Sequence, residues 1–198
     1  MYALVESGTI TKYFSYPRGF TLGDLQYPAD IFMKWSVAEK EAIGIYEVVY
    51  DNSNKKDEKW YINTNQSFAF ANNTVTASYG TATPKAHADA NGTDSDGVEL
   101  DPVVVIPGLK TNLIKDLKTN VANELAKTDW YITRNAEKST AIPSAISTYR
   151  DAVRTKQASM ETAITNAADT AALETLYTYT TTDGVQSRPL GELPVLES

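Results

Sequence analysis

Side chains able to perform acid–base, nucleophilic or metal chemistry are scarce in this chain. His87 is its only histidine and cysteine is absent. A nucleophile–base pair would have to be assembled around His87, which lies in a stretch rich in turn formers where a side chain is solvated rather than held. Without thiolates, and with one imidazole, a zinc site could take at most one nitrogen ligand, so no zinc site is expected. The acidic run Asp89-Ala-Asn-Gly-Thr-Asp-Ser-Asp-Gly97 fails as a calcium loop in both registers. Placing Gly97 at the glycine position puts Gly92 and Val103 where ligands are needed; starting at Asp89 puts Asp94 at the glycine position and Leu100 at the bidentate glutamate. Gly19-Phe-Thr-Leu-Gly23 lacks the lysine and hydroxyl residue of a phosphate-binding loop. Asp24, Asp30, Glu58 and Asp129 are carboxylates that spacing alone cannot pair for glycoside hydrolysis. No catalytic, cofactor-binding or metal-binding residue is assigned, no cofactor is expected, and the chain is read as a non-enzyme.

Trp130, Tyr131 and Arg134 form the residue group best suited to recognition. Arg134 lies one helical turn from Trp130, close enough to stack on its face. Two roles compete for the group: a partner-binding patch, or an aromatic anchor between helices. The anchor is favoured, because the Trp-Tyr-Ile run follows an apolar stripe directly. Arg150 and Arg154 are expected to pair with Asp129 or Glu137 as exposed ion pairs worth under about 1 kcal/mol each.

These residues need a scaffold, and the 198 residues allow one large domain or two small ones. Lys and Arg total 18 against 25 Asp and Glu, a net charge of −7, with no basic run beyond Lys55-Lys56. Nucleic acid and anionic membrane surfaces are therefore not expected as partners. The opening Met1–Glu6 has no signal-peptide pattern, and no segment reaches the about 20 apolar residues of a membrane span. The product is expected to be made in a cytoplasm and to stay soluble there unless carried out. The Asn-x-Ser/Thr triplets at Asn65, Asn72 and Asn91 are read as chance matches.

The pattern predicts an α+β chain. Residues 1–83 read as a small antiparallel β module with one short helix. Tyr2–Glu6 and Thr9–Phe14 flank a Ser7-Gly8 turn, and Ile45–Tyr50, Lys59–Asn63, Ser67–Phe70 and Asn73–Tyr79 follow as strands. Trp60 and Ile62, and Val75 and Ala77, alternate with polar neighbours. Ser36 with Glu39 forms a capping box for a helix ending at Gly44. Residues 84–108 read as a linker. Residues 109–178 read as a helical hairpin or small bundle: Leu109, Leu113, Leu117, Val121 and Leu125 make one stripe. Thr128-Asp129 caps a second helix and Pro143 opens a third, whose stripe is Ile146, Tyr149, Val153, Met160 and Ile164. Thr170 starts a short fourth helix, and 179–198 reads as an irregular tail.

The segment Leu117–Leu176 contains Thr128-Asp-Trp-Tyr-Ile-Thr-Arg-Asn-Ala-Glu137, Ile142-Pro143, Tyr149-Arg150 and Val153-Arg154. It resembles the C-terminal segment of phage tail-fibre-associated and tail-fibre-assembly-type proteins, in which a TDW…R…E…P…YR…LR pattern recurs. The N-terminal Tyr27-Pro-Ala-Asp-Ile-Phe32, Trp35-Ser36 and Ala42-Ile-Gly-Ile-Tyr46 are similar to openings of marine phage tail proteins. The resemblance covers about half the chain and brings no catalytic residues. It implies a structural tail component, at the baseplate or joining a fibre to it, located in the virion tail after assembly in the host cytoplasm. A tail-fibre assembly chaperone and a receptor- or glycan-binding module are the alternatives. The partners it implies are other phage tail proteins, with further copies of the chain as a second possibility.

Overall fold

The computed structural model describes residues 1–64 and 66–196, and its contacts divide the chain into two compact units, Met1–Thr83 and Pro84–Ser198. Asn65, the first of the three triplet asparagines, lies outside the described residues, as do the last two residues of the tail. Strands dominate the first unit and helices the second, so the chain is α+β.

In the first unit, β1 (Tyr2–Glu6) and β2 (Thr9–Phe14) form the expected hairpin. Ser7 and Gly8 both take positive φ, 51° and 78°, the backbone twist that joins adjacent antiparallel strands through two residues. A second hairpin pairs β3 (Phe20–Leu22) with β4 (Leu25–Tyr27), then come α1 (Ile31–Lys34) and α2 (Val37–Ala42). Two short helices therefore stand where one was expected. The four residues of α1 are too few to show a helical period; its Asp30 forms an ion pair with Lys34. The α2 start is the capping box read from the sequence: Glu39 Oε2 accepts the Ser36 N–H at 2.7 Å, and Ser36 Oγ accepts the Glu39 N–H at 3.3 Å. Gly44 stops this helix at φ 81°, and a Cβ there would overlap the Val5 carbonyl oxygen.

Next along the chain are β5 (Ile45–Asp51), β6 (Tyr61–Ile62), β7 (Ser67–Ala71) and β8 (Thr74–Ser78). The main sheet runs β2-β1-β5-β8-β7, and β8 lies parallel to β5, with Val48 opposite Val75. The module is mixed rather than antiparallel. The β7–β8 pair is a local hairpin, but its second strand docks on β5, and that choice of neighbour sets a parallel pair. Local turn signals cannot say which arm of a hairpin will dock. The sheet buries both faces. Leu4, Phe14 and Ile45 pack with Phe20, Ile31 and Phe32, while Ala3, Val5, Val48, Val75 and Ala77 form a second cluster. Edge strands β2 and β7 curl toward each other, so that the Tyr13 and Phe68 rings lie 4.7 Å apart. The strand expected over Lys59–Asn63 shrinks to β6: Trp60 and Tyr61 are both buried and Ile62 is exposed, so the expected alternation fails there.

The second unit does not begin with a free linker. It carries β10 (Ala90–Asn91) paired with β11 (Val105–Ile106), after a two-residue strand β9 (Thr83–Pro84) at the division. This segment finishes the start of α3 (Leu109–Ala126), whose first-turn N–H groups need acceptors. The Ala86 and His87 carbonyls accept from Leu109 and Lys110 at 2.9 and 3.0 Å, and Asp89 Oδ1 accepts from Gly108 at 2.8 Å. Gly108 must lack a side chain, because a Cβ would overlap the Ala88 carbonyl. The composition of 84–108 suggested too little burial for order; backbone hydrogen bonds to a helix end supply the order instead.

The remaining helices are α4 (Asp129–Lys138), α5 (Ser144–Asn166) and α6 (Thr170–Tyr177). Contacts between residues 124 and 149, 118 and 161, and 110 and 165 make α3 and α5 antiparallel. Leu113, Leu117 and Val121 are buried on α3, and all five apolar residues expected on α5 are buried. Side chains of this size each contribute roughly 1.5–3 kcal/mol on full burial. Thr170 does open α6, where the Asp169 carboxylate accepts the Ala172 N–H and Thr170 Oγ1 donates to the Lys85 carbonyl at 2.7 Å. The tail expected to be irregular forms a hairpin, β12 (Thr180–Thr182) with β13 (Val185–Ser187). Asp183 and Gly184, at φ 52° and 79°, make its turn.

One contact of the α3–α5 interface titrates. Glu124 accepts from Lys127 Nζ at 2.6 Å and from the Tyr149 hydroxyl at 2.8 Å. The Lys127 hydrogen bond, then that of Tyr149, hold its carboxyl below the usual range. Burial, then the bond to Glu124, push the Tyr149 phenol up. A lowered folded pKa contributes stability that is present above the unfolded value and lost as pH falls through the folded one. Helical melting should therefore show acid destabilisation setting in below the ordinary glutamate value of about 4.3. Glu124→Gln should be less stable near neutrality and have a shallower acid slope. Identical slopes for the two proteins would show that the contact adds nothing.

A candidate partner surface on the fourth helix

The position of α4 follows from a turn of two residues. Helix α3 ends at Ala126, Lys127 is its C-cap, and Thr128 precedes α4 without a side-chain cap bond. Asp129, expected to cap, is already the first helical residue, and its carboxylate serves another purpose. From α5, Arg150 Nη1 donates toward the Leu125 carbonyl at 2.8 Å, Thr128 Oγ1 at 2.7 Å and Asp129 Oδ1 at 2.8 Å. Thr128 is fully buried and its hydroxyl donates to the Leu125 carbonyl at 3.0 Å. Arg150 thus joins the last turn of α3 to the first turn of α4.

The expected Arg150–Asp129 pair is present, but only its carboxylate is exposed; the guanidinium side chain is one-tenth exposed. Hydrogen bonds to a charged group in such a setting contribute about 1.5–3 kcal/mol, more than the exposed pair anticipated. Arg150 Nε is buried with no hydrogen-bond partner among the described residues, which keeps part of that gain in check. Arg154 does not reach Glu137. It lies 3.4 Å from Asp151 on its own helix, both side chains exposed.

Helix α4 itself contributes no buried residue to the unit. Trp130 is 54% exposed and Ile132 is 40% exposed, while Tyr131 is half-buried. This corrects the expectation that Trp130 anchors the helices. Three consecutive helical residues fan across about 200° of the helix circumference, so an apolar run of this kind cannot all face one neighbour. The Arg134 guanidinium lies 4.4 Å from the Trp130 ring centroid and 5.5 Å from that of Tyr131, and the two rings are 4.8 Å apart. The three residues singled out from the sequence are therefore one stacked group. Beside it, Trp130, Thr133, Arg134, Glu137 and Lys138 line an open depression of about 390 Å³.

Such a platform is suited to protein recognition. Trp, Tyr and Arg dominate the energetics of protein interfaces because they bring large, rigid area with a polar edge. Stacking pre-orders the long Arg134 side chain, so less conformational freedom is lost when a partner covers it. The sequence reading places Arg150 in an exposed pair, where the structure buries it. Its signal was its spacing: it lies four residues after Ile146 and three before Val153, inside the buried stripe.

The rest of the unit offers no comparable chemistry. His87 is half-buried, with its backbone carbonyl engaged by Lys110. In the acidic loop, Asp94 Oδ1 accepts the Asp96 and Val98 N–H groups at 2.9 Å each. Among the described residues no group of three or more His, Asp or Glu side chains is placed to hold a metal ion. Among the described residues no helix is long and apolar enough to cross a membrane. Comparison of the chain with family models, curated proteins and solved structures finds no match in any of the three.

Exposure of Trp130 predicts that Trp130→Ala folds normally. The lost stacking should cost about 1 kcal/mol or less. A thermal melt beside the wild type measures it. A loss of the 3–5 kcal/mol typical of an emptied buried aromatic site would contradict the exposed placement.

Proposed function

We propose that this chain is a non-enzymatic structural component of a bacteriophage tail, placed at the baseplate or where a fibre joins it. It acts by packing against other tail proteins. The observation that carries this reading is the exposure of Trp130 with Arg134 stacked on it. These residues lie in the Thr128–Glu137 stretch through which the chain resembles tail-fibre-associated proteins. A residue that recurs in such a pattern for packing alone would be expected inside the helix pair, where Val121 and Val153 lie. Its place outside favours contact with another protein.

One further feature favours a permanent part over a transient assembly factor. The first unit is a complete sheet with its own two clusters of buried side chains, more than a helical chaperone segment requires. The chain's acidic charge, with no basic run beyond Lys55-Lys56, makes other proteins better partners than nucleic acid under either reading.

Mass spectrometry of purified phage particles from the producing host tests the role. The chain should be present in mature tails. Particles carrying Trp130→Ala should lose it or its neighbour, since truncating an interface aromatic of this kind costs about 2 kcal/mol or more. Mature particles that lack the chain but whose fibres fail to assemble without it would contradict the proposal and identify an assembly chaperone.

A further inference from the structure

A second exposed surface lies in the β10–β11 segment, on different residues and with different chemistry. Val103, Val104, Val105 and Ile106 are consecutive aliphatic residues, and each is between 51% and 56% exposed. Neighbouring side chains of an extended chain point to opposite faces, so this run has neither face covered. Val98 and Leu100 extend the apolar surface. Gly92 brings the halves of the segment together: its N–H donates to the Val104 carbonyl at 2.7 Å and its carbonyl accepts the Leu100 N–H at 3.0 Å. The Leu100 and Ile106 side chains approach Gly92 so closely that a Cβ there would be 3.2 and 3.7 Å from their δ carbons.

The sheet has two strands, so among the described residues β11 has β10 on one edge and no strand on the other. Two short strands are marginal by themselves, and an uncovered β-branched edge is a template for one more. Charge selects what can pair there. Residues 86–109 contain Asp89, Asp94, Asp96, Glu99 and Asp101 and no lysine or arginine. A second copy would bring like charges face to face, which destabilises strand pairing.

We infer that the free edge of β11 docks an extended polypeptide segment of a partner protein, one with aliphatic side chains flanked by lysine or arginine. Main-chain hydrogen bonds supply the attachment, the valine faces select aliphatic side chains, and the carboxylates select the basic flanks. The inference stands on this segment alone and does not depend on the tail assignment or on the Trp130 surface.

The test is a titration of the full chain, followed by amide NMR. The probe is a short synthetic peptide of alternating valine and threonine with two lysines at each end; the control has glutamates in their place. The lysine peptide should shift the amides of Val103–Ile106, leave those of α4 unmoved, and bind at least about tenfold more tightly than the control. Val105→Lys, an exposed change, should abolish those shifts while the remaining spectrum stays folded. Three results would overturn the inference. One is the absence of shifts in Val103–Ile106. Another is equal binding of the two peptides. The third is a peptide-free dimer by sedimentation that Val105→Lys disperses, which would make a second copy the occupant.

Discussion

The arrangement of the helical unit turns on one cation taken out of water. Arg150 places a guanidinium where two helices end and begin, and a charge there is tolerated only if acceptors surround it. The acceptors are a last-turn carbonyl of α3, a buried threonine hydroxyl and a first-turn carboxylate of α4. The hydrogen bonds that offset the cost of burying the charge also hold the break between the two helices. Because the break is held from α5, α4 can leave the α3–α5 pair without burying any residue of its own. Its outward-facing aromatic group follows from that.

Much of this was readable from residue order. Strand pairs joined by Ser7-Gly8, the Ser36–Glu39 capping box and the two long stripes depend on neighbours within a few residues, and the structure has them where the pattern put them. Two of the differences depend on partners distant in sequence. The parallel β5–β8 pair needed knowledge of which hairpin arm docks. The order of residues 84–108 needed knowledge that Ala86, His87 and Asp89 would meet the start of α3. Trp130 was judged by the hydrophobicity of its run, although the helical repeat already spread that run around the helix. Arg150 was judged by its charge, although its spacing placed it in the stripe.

The two proposed surfaces share a physical signature. Each leaves large apolar side chains about half exposed, Trp130 on one and Val103–Ile106 on the other, and neither is demanded by the core beneath it. The stacked Trp130–Arg134 pair is rigid, polar at its edge and on a helix. The Val103–Ile106 run is aliphatic, extended and bordered by carboxylates. Surfaces so different suit different contacts.

The central claim is that Arg150 sets the position of α4, and hydrogen–deuterium exchange on Arg150→Met measures it most directly. Methionine fills similar space without donors, so the packing of α3 on α5 is retained while the clasp is lost. The account predicts that amides of Asp129–Lys138 exchange about tenfold faster or more, an opening free energy lower by about 1.4 kcal/mol, while those around Leu117 and Val153 stay protected. Unchanged protection in α4, or an equal rise throughout the three helices, would contradict it.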